Sequence, residues 1–404
     1  MRIKGATIGL RRSRWGLLAV LALVVAGSVA LWVWPGPDRG RLWEQAKEEF
    51  KAQRWGRAEA SLRRLARTGP LTTEQKILWS DVARNQGHPE QALALLADVP
   101  DSDPLASRVQ LVRGQIELRW KHLPAAERHL RRALELDPKL IPAHRELIFI
   151  YGMQLRRAEI DVQFRELAQL VPLKYDEAFL WCLSRTLNWN AREVAEDLAQ
   201  YIKADPEDKW SRLALADNLR RMTHFEEAEA TLAPLPASDP DALALRVQMA
   251  IDQGDLAAAQ QLLAAGPADH PDLARIRGRL ALARRDVPAA IRSYRIALKG
   301  DPYNRDAVLG LSQALRLAGK TEEAETYAQL VRELDTLSGL LQRASNPAAR
   351  RDPKLPIELG ATCAAAGLIP QARAWYQVAI SLDPLNTEAQ QALYHLDKAG
   401  RIGE

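Results

Sequence analysis

Cys182 and Cys363 are the only two thiols in the chain. A thiolate can serve as nucleophile, metal ligand or redox partner, so they are the first candidates for chemistry. No C-x-x-C spacing occurs, and a zinc ribbon, a thioredoxin-like site and a haem attachment signal are therefore unsupported. Both cysteines sit in stretches of helical periodicity, where a buried free thiol is the ordinary outcome. The seven histidines are scattered. His129 and His144 have no third ligand nearby and are expected at the surface or between helices. Glu226-Glu227 and Glu322-Glu323 are adjacent carboxylates, but each pair opens a helical segment, where negative charge complements the helix dipole. There is no glycine-rich phosphate loop, no G-x-S-x-G elbow and no H-E-x-x-H. The sequence predicts a non-enzyme with no catalytic, cofactor-binding or metal site.

With 404 residues, 47% hydrophobic and 26% charged, the chain can bury a large core. Its pI of 9.2 invites a nucleic-acid reading, which the charge distribution removes. Arg2, Lys4, Arg11, Arg12 and Arg14 precede residue 35, with no acidic side chain among them. The 56 Lys and Arg less these five equal the 51 Asp and Glu, so the rest of the chain is formally neutral. No basic domain is left to displace counterions from a phosphate backbone, and nucleic acid is not an expected partner.

Trp15 to Trp34 reads WGLLAVLALVVAGSVALWVW, without a charge and long enough to cross a bilayer core of roughly 30 Å as a helix. Tryptophans stand at both ends, as interfacial anchors do, and the positive residues before it belong on the cytoplasmic side. The expected topology is an inner-membrane, single-pass signal-anchor with the remainder of the chain exoplasmic, that is, periplasmic. A cleaved secretory signal, with Ser28-Val29-Ala30 as its small-residue site, is the alternative. Continuation of the apolar run to Trp34 favours the retained anchor.

Pro70, Pro104, Pro138, Pro172, Pro206 and Pro240 follow one another at intervals of 34 residues, with Pro271 and Pro302 after shorter steps. The next step of 34 lands on Thr336, and the last marker, Pro384, lies 48 residues on, a period plus an insertion of 14. A fixed period of this size marks a stacked repeat protein. Twelve residues before each repeat end stand Ala58, Ala92, Ala126, Ile160, Val194, Ala228, Ala259, Ala290, Ala324 and Ala372. Four residues later comes a bulky side chain, such as Leu62, Leu130, Phe164 or Tyr294. Residues i and i+4 share a helix face, so the small one admits a neighbouring helix and the large one fills the space beside it. Gly87, Gly254, Gly319 and Gly367 precede the alanine by five residues. There glycine can take the left-handed backbone that ends the first helix of a pair. Asp-Pro ends the second helix, and Asn304 or Asn386 can cap the next.

This pattern resembles the tetratricopeptide repeat, with its A-x3-F…P core and a small residue in the first helix, here Gly114, Gly278 and Gly360. The resemblance covers roughly residues 39–402 and implies an all-α, right-handed superhelical solenoid of about ten helix-turn-helix repeats, in a membrane-anchored bacterial protein. The expected organisation is a cytoplasmic basic N-terminus (1–14), a transmembrane helix (15–34), repeats one to nine (35–336), an insertion (337–352), and a terminal repeat with a capping helix (353–402). The insertion is expected to extend a helix and then loop through Ser345-Asn346-Pro347. Since a solenoid contacts mainly its neighbours, Cys182 in repeat five and Cys363 in repeat ten are expected to lie far apart.

The resemblance also implies binding of a protein or peptide segment on a concave face lined by first helices. Carried onto this chain, that geometry gives Arg145, Phe149, Phe179, Leu183, Trp210, Asp217 and Arg220, then Arg275, Arg279 and Arg316. Arg145, Phe149, Phe179, Trp210 and Arg220 are the expected partner-binding residues. The stretch 141–210 holds nine of the 24 aromatics. They either fill gaps opened by Ile160 and Val194 or form a specialised binding segment. The implied function is a membrane-anchored protein-interaction scaffold. The alternatives are a non-catalytic docking subunit of an envelope enzyme complex and a polysaccharide-binding envelope solenoid.

Overall fold

The computed structural model describes residues 38–186 and 191–402, and the expected membrane segment lies outside them. Among the described residues there are 21 α-helices and no strand. None of these helices is long and apolar enough to cross a membrane. The first twenty form ten consecutive pairs.

The chain divides into two compact units at Leu105–Ala106. The first unit holds repeats one and two: α1 (Arg39–Lys51), α2 (Trp55–Arg67), α3 (Thr73–Asn85) and α4 (Pro89–Leu96). Leu42, Ala46, Ala58, Leu62, Leu65 and Val82 make its core. Arg39 ties the start to the end of the first repeat, donating to Thr68 Oγ1 and to the Pro70 carbonyl at 2.8 Å each. Thr72 and Gln75 close a capping box at the start of α3.

The second unit opens with repeat three, α5 (Ala106–Arg119) and α6 (Leu123–Leu136), and repeat four, α7 (Ile141–Met153) and α8 (Arg157–Leu170). Repeat five is α9 (Tyr175–Thr186) and α10 (Ala191–Ala204); repeat six is α11 (Lys209–Arg221) and α12 (Phe225–Leu232). Repeats seven and eight are α13 (Pro240–Asp252), α14 (Leu256–Ala265), α15 (Pro271–Ala283) and α16 (Val287–Gly300). Repeats nine and ten are α17 (Arg305–Leu317), α18 (Thr321–Ala344), α19 (Leu355–Ala365) and α20 (Ile369–Leu382), followed by α21 (Thr387–Ile402).

The sequence register is the packing register. Eight crossing alanines, from Ala58 to Ala372, are at most 1% exposed, and Ile160 is 3% exposed. At Gly114, Gly278 and Gly360 of first helices, the partner helix's bulky residue lies directly on the glycine. A Cβ at Gly114 would sit 2.7 Å from Leu130 Cγ, and one at Gly360 2.7 Å from Tyr376 Cε1. Ser80 and Ser312 hold the glycine's position in their repeats, twelve residues before the alanine, and each donates to that alanine's carbonyl, at Ala92 and Ala324, at 2.9 Å. His129 and His144 bridge helices: their Nδ1 atoms meet Gln110 and Gln163 at 2.8 and 2.9 Å. Glu226-Glu227 and Glu322-Glu323 fall in first turns of second helices.

The Asp-Pro pairs act through the aspartate. Asp137, Asp301 and Asp383 end their helices in extended backbone, and each carboxylate accepts from the amide two residues on, at 3.0–3.1 Å. That Asx turn reverses the chain, and proline forbids the helix from continuing. Asp239 differs: it N-caps α13 with Pro240 as the first helical residue. Asn304 and Asn386 cap α17 and α21, accepting from Ala307 and Ala389 at 3.1 and 2.9 Å.

The glycine turn is more general than glycine. Gly87, Gly254, Gly319 and Gly367 have φ of +75° to +84°, and Gln53, Lys121, Leu155, Thr223 and Arg285 have φ of +56° to +66°. All nine precede the crossing residue by five positions, so the fold imposes the left-handed residue whatever the side chain.

One expectation is overturned. Cys182 Sγ and Cys363 Sγ are 3.9 Å apart, both fully buried, although 181 residues separate them. Within the second unit the chain returns on itself, and repeat ten packs against repeats four and five. One apolar cluster contains Phe164, Trp181 and Cys182 together with Leu341, Cys363 and Trp375. Tyr175 meets Trp375 edge-on at 5.2 Å, and Asp161 accepts from both Trp181 Nε1 (2.9 Å) and Gln371 Nε2 (3.2 Å). A neighbours-only picture holds for an open array; here successive repeat rotations bring distant repeats together. The insertion takes part. α18 runs on through it to Ala344, a 3-10 turn follows at Pro347–Arg351, and Arg350 pairs with Asp176 at 3.0 Å.

Candidate functional site

First helices of repeats six to nine, with the inter-helix turn of repeat four, line a cavity of about 860 Å³ in the second unit. α11 contributes Trp210, Asp217 and Arg220; α13 contributes Gln248; α15 contributes Arg275 and Arg279; α17 contributes Arg305 and Asp306. Six arginines and seven carboxylates lie among the lining residues, so the walls are nearly balanced and do not form a polyanion site.

The wall is braced at several points. Arg220 donates to Asp217 at 2.8 Å and to Asp252 at 2.5 Å. Burial disfavours its charge, but the two aspartates outweigh this and hold its pKa above the usual arginine value. His270 Nε2 meets Asp241 at 3.1 Å. That bond raises the histidine's pKa and lowers the aspartate's, with Lys209 adding to the second effect. Arg157 projects among Asp301, Asp272 and Asp217, yet its nearest carboxylate, on Asp301, is 4.0 Å away. Burial lowers its pKa and these acids only partly compensate.

Trp210 is held rather than free. The Arg156 guanidinium lies 4.8 Å from its ring centroid and 4.4 Å from that of Tyr151, and Lys209 Nζ is 5.0 Å from the Trp210 ring. Arg156 is itself almost buried and pairs with Glu127 at 2.6 Å and Glu159 at 2.9 Å. Gln154 reaches across to Asp208 at 3.2 Å, so repeat four touches repeat six directly.

Of the five residues expected to bind a partner, Trp210 and Arg220 line the cavity. Arg145 and Phe149 do not line it; both are exposed on α7, with Phe149 44% exposed and Arg145 paired to Glu177 at 2.8 Å. Phe179 is half-buried against the cluster that joins repeats four, five and ten. Asp217, Arg275 and Arg279 also line the cavity, while Arg316 and Leu183 do not. The aromatic surplus of residues 141–210 is largely spent inside: Phe164 stacks on Trp181 at 5.5 Å, and Tyr175 meets repeat ten. Arg157, His270 and Arg305 were not indicated by first-helix positions. They come from helix starts and a preceding cap, and they line the cavity beside the first-helix residues. Among the described residues, no group of three or more His, Cys, Asp or Glu side chains is placed to hold a metal ion.

No curated protein matches the chain. Among solved structures, the chain is similar to the APC/C hetero-tetramer Cut9–Hcn1, at 11% identity over 93% of this chain and 98% of that one, with a TM-score of 0.33. It is similar to a tetratricopeptide repeat protein from Parabacteroides merdae at 18% identity over 60% and 97%, with a TM-score of 0.31. The C-terminal part of a TPR repeat-containing protein from Cytophaga hutchinsonii shares 12% identity over 66% and 98%, with a TM-score of 0.31. Tetratricopeptide-repeat family profiles match residues 77–141, 190–248 and 277–337. Within those three stretches the chain is similar to tetratricopeptide repeats, and its helix pairs follow the same alanine register on either side of them.

Proposed function

We propose that this protein is a non-catalytic interaction scaffold of a bacterial envelope that takes a polypeptide segment of mixed charge into the cavity of its second unit. Tetratricopeptide repeats generally mediate protein–protein interaction. The observation that carries the reading here is the lining itself: first-helix side chains of four consecutive repeats face one space. Its near-balanced guanidinium and carboxylate groups suit an extended peptide, whose backbone and side chains offer both donors and acceptors. Trp210 and Arg220 are the proposed anchors within it. Arg145 and Phe149, on one exposed face of α7, and Phe179 on α9 are proposed as a second contact, outside the cavity.

Residues 15–34 are proposed as the retained membrane anchor, with residues 35–404 exoplasmic. Anchoring would confine encounters to the membrane surface and raise effective concentration there. A reporter active only outside the cytoplasm, fused after Glu404, should be active; activity only from a cytoplasm-specific reporter would reverse the topology.

A photoreactive residue replacing Gln248, in the cavity, should trap a discrete polypeptide in intact cells. The same group at Gln261, exposed on α14, should not. Equal capture from both positions, or from neither, would remove the cavity as the binding site. A protease-resistant adduct would favour the polysaccharide alternative, and capture of an enzyme would favour the docking-subunit alternative.

A further inference from the structure

We propose that Cys182 and Cys363 form a redox-responsive covalent closure of the repeat array. The two sulfurs are 3.9 Å apart at the contact between the first helices of repeats five and ten. Between them along the chain lie repeats six to nine, whose first helices line the cavity. A bond at this point would therefore fix the loop of chain that surrounds it.

Three features suit the pair to disulfide chemistry. Both side chains are fully buried, so reagents reach them only when the contact between repeats five and ten opens. Trp375 Nε1 donates to Cys182 Sγ at 3.3 Å, which fixes the position of that sulfur beside its partner. Polar latches also flank the contact of repeat ten and the insertion with repeats four and five, and they need not unfold a helix to part: Arg350–Asp176 at 3.0 Å and Gln371–Asp161 at 3.2 Å.

The oxidant is a small disulfide. In the opened state one cysteine thiolate attacks it, forming a mixed disulfide and expelling one small thiolate. On closure the other cysteine, deprotonated, attacks the protein sulfur of that mixed disulfide and expels the second small thiolate. Two protein thiols are oxidised to one disulfide, the small disulfide is reduced to two thiols, and the two protons leave with them. In the reduced protein the closure is non-covalent and able to part. In the oxidised protein it is locked.

The test uses the full chain equilibrated with glutathione and glutathione disulfide, quenched in acid, then alkylated under denaturing conditions. Oxidised protein should be lighter by two hydrogens, accept no alkyl label, and yield a peptide joining Cys182 to Cys363. Run in urea, the same exchange should lower the ratio of this disulfide to open thiols on the order of a hundredfold, because native proximity is lost. The oxidised form should melt at a higher temperature than the reduced one, and reductant should abolish the difference. Full alkylation of both cysteines, or separate glutathione adducts on each, would overturn the proposal. So would equal yields with and without urea, or identical melting of the two forms.

Discussion

Tyr294 is wedged between two first helices, and this makes Gly310 the most sensitive small residue of the array. The ring is 3% exposed. A Cβ at Gly310 would lie 2.1 Å from Tyr294 Cζ and 2.4 Å from Oη, and one at Gly278 on the other side 2.9 Å from Cδ1. Carbon–carbon contacts settle at about 3.5–4.0 Å, so Gly310→Ala demands a shift of more than an ångström, and Gly278 blocks the retreat. Alanine gains about 1 kcal/mol over glycine in a helix. Overpacking a filled site costs about 1–3 kcal/mol, and a conflict this deep belongs at the upper end. The net expectation is a loss of about 2 kcal/mol. Gly339→Ala on α18 is the control, since nothing lies within 4 Å of a Cβ there; it should gain about 1 kcal/mol. Urea unfolding of the full chain should therefore move to lower midpoint for the first variant and higher for the second. Leucine takes the Tyr294 position in repeat three, where Leu130 lies on Gly114. Gly310→Ala with Tyr294→Leu should thus be less destabilised than the two singles added together, by about 0.5–3 kcal/mol. A Gly310→Ala midpoint at or above the parent's would refute the wedge, and with it the crossing register at repeats eight and nine.

Arg285, exposed with φ +61°, carries left-handed strain that glycine would not; Arg285→Gly should stabilise by about 0.5–1 kcal/mol once glycine's entropy is deducted, read as a higher urea midpoint. The His270–Asp241 bond gives stability a pH window. The histidine pKa is raised above 6.5, so its contribution is complete below that value and is lost as pH rises through the higher folded value. The aspartate pKa is lowered from 3.8, so its contribution is present above that value and is lost as pH falls through the lower folded one. Melting temperature measured against pH should show the pair's full effect between about 4 and 6.5, and His270→Asn should flatten the alkaline side. Deleting residues 339–352 should restore the regular spacing but abolish the closure, leaving Cys182 and Cys363 alkylated by a thiol reagent without denaturant; continued protection would show that the insertion is dispensable for it.

What the sequence displays well is what one repeat does to its neighbour. Ala290 and Tyr294 announce their facing helix through types and spacing alone, and Asp301-Pro302 announces its turn. The left-handed position was legible at Gly254 and hidden at Leu155 and Thr223, because the fold demands the backbone shape and tolerates a side chain that pays for it. The closure was not legible, for a geometric reason. It depends on small rotations accumulated over repeats five to ten, none of which has a residue signature. Traces of it were present without a means to pair them. Trp181 and Tyr175 were surplus to a repeat core, and Leu337, Leu341 and Ala344 kept a helical stripe through an insertion that no repeat required. α18, at 24 residues, is about 36 Å long, roughly twice its counterparts in the other repeats. Its added turns carry those three residues into the cluster that holds Phe164 and Trp375. The insertion is therefore best understood as the spacer that lets the array meet itself: it displaces repeat ten from the regular path, and the aromatics of repeats four and five receive it.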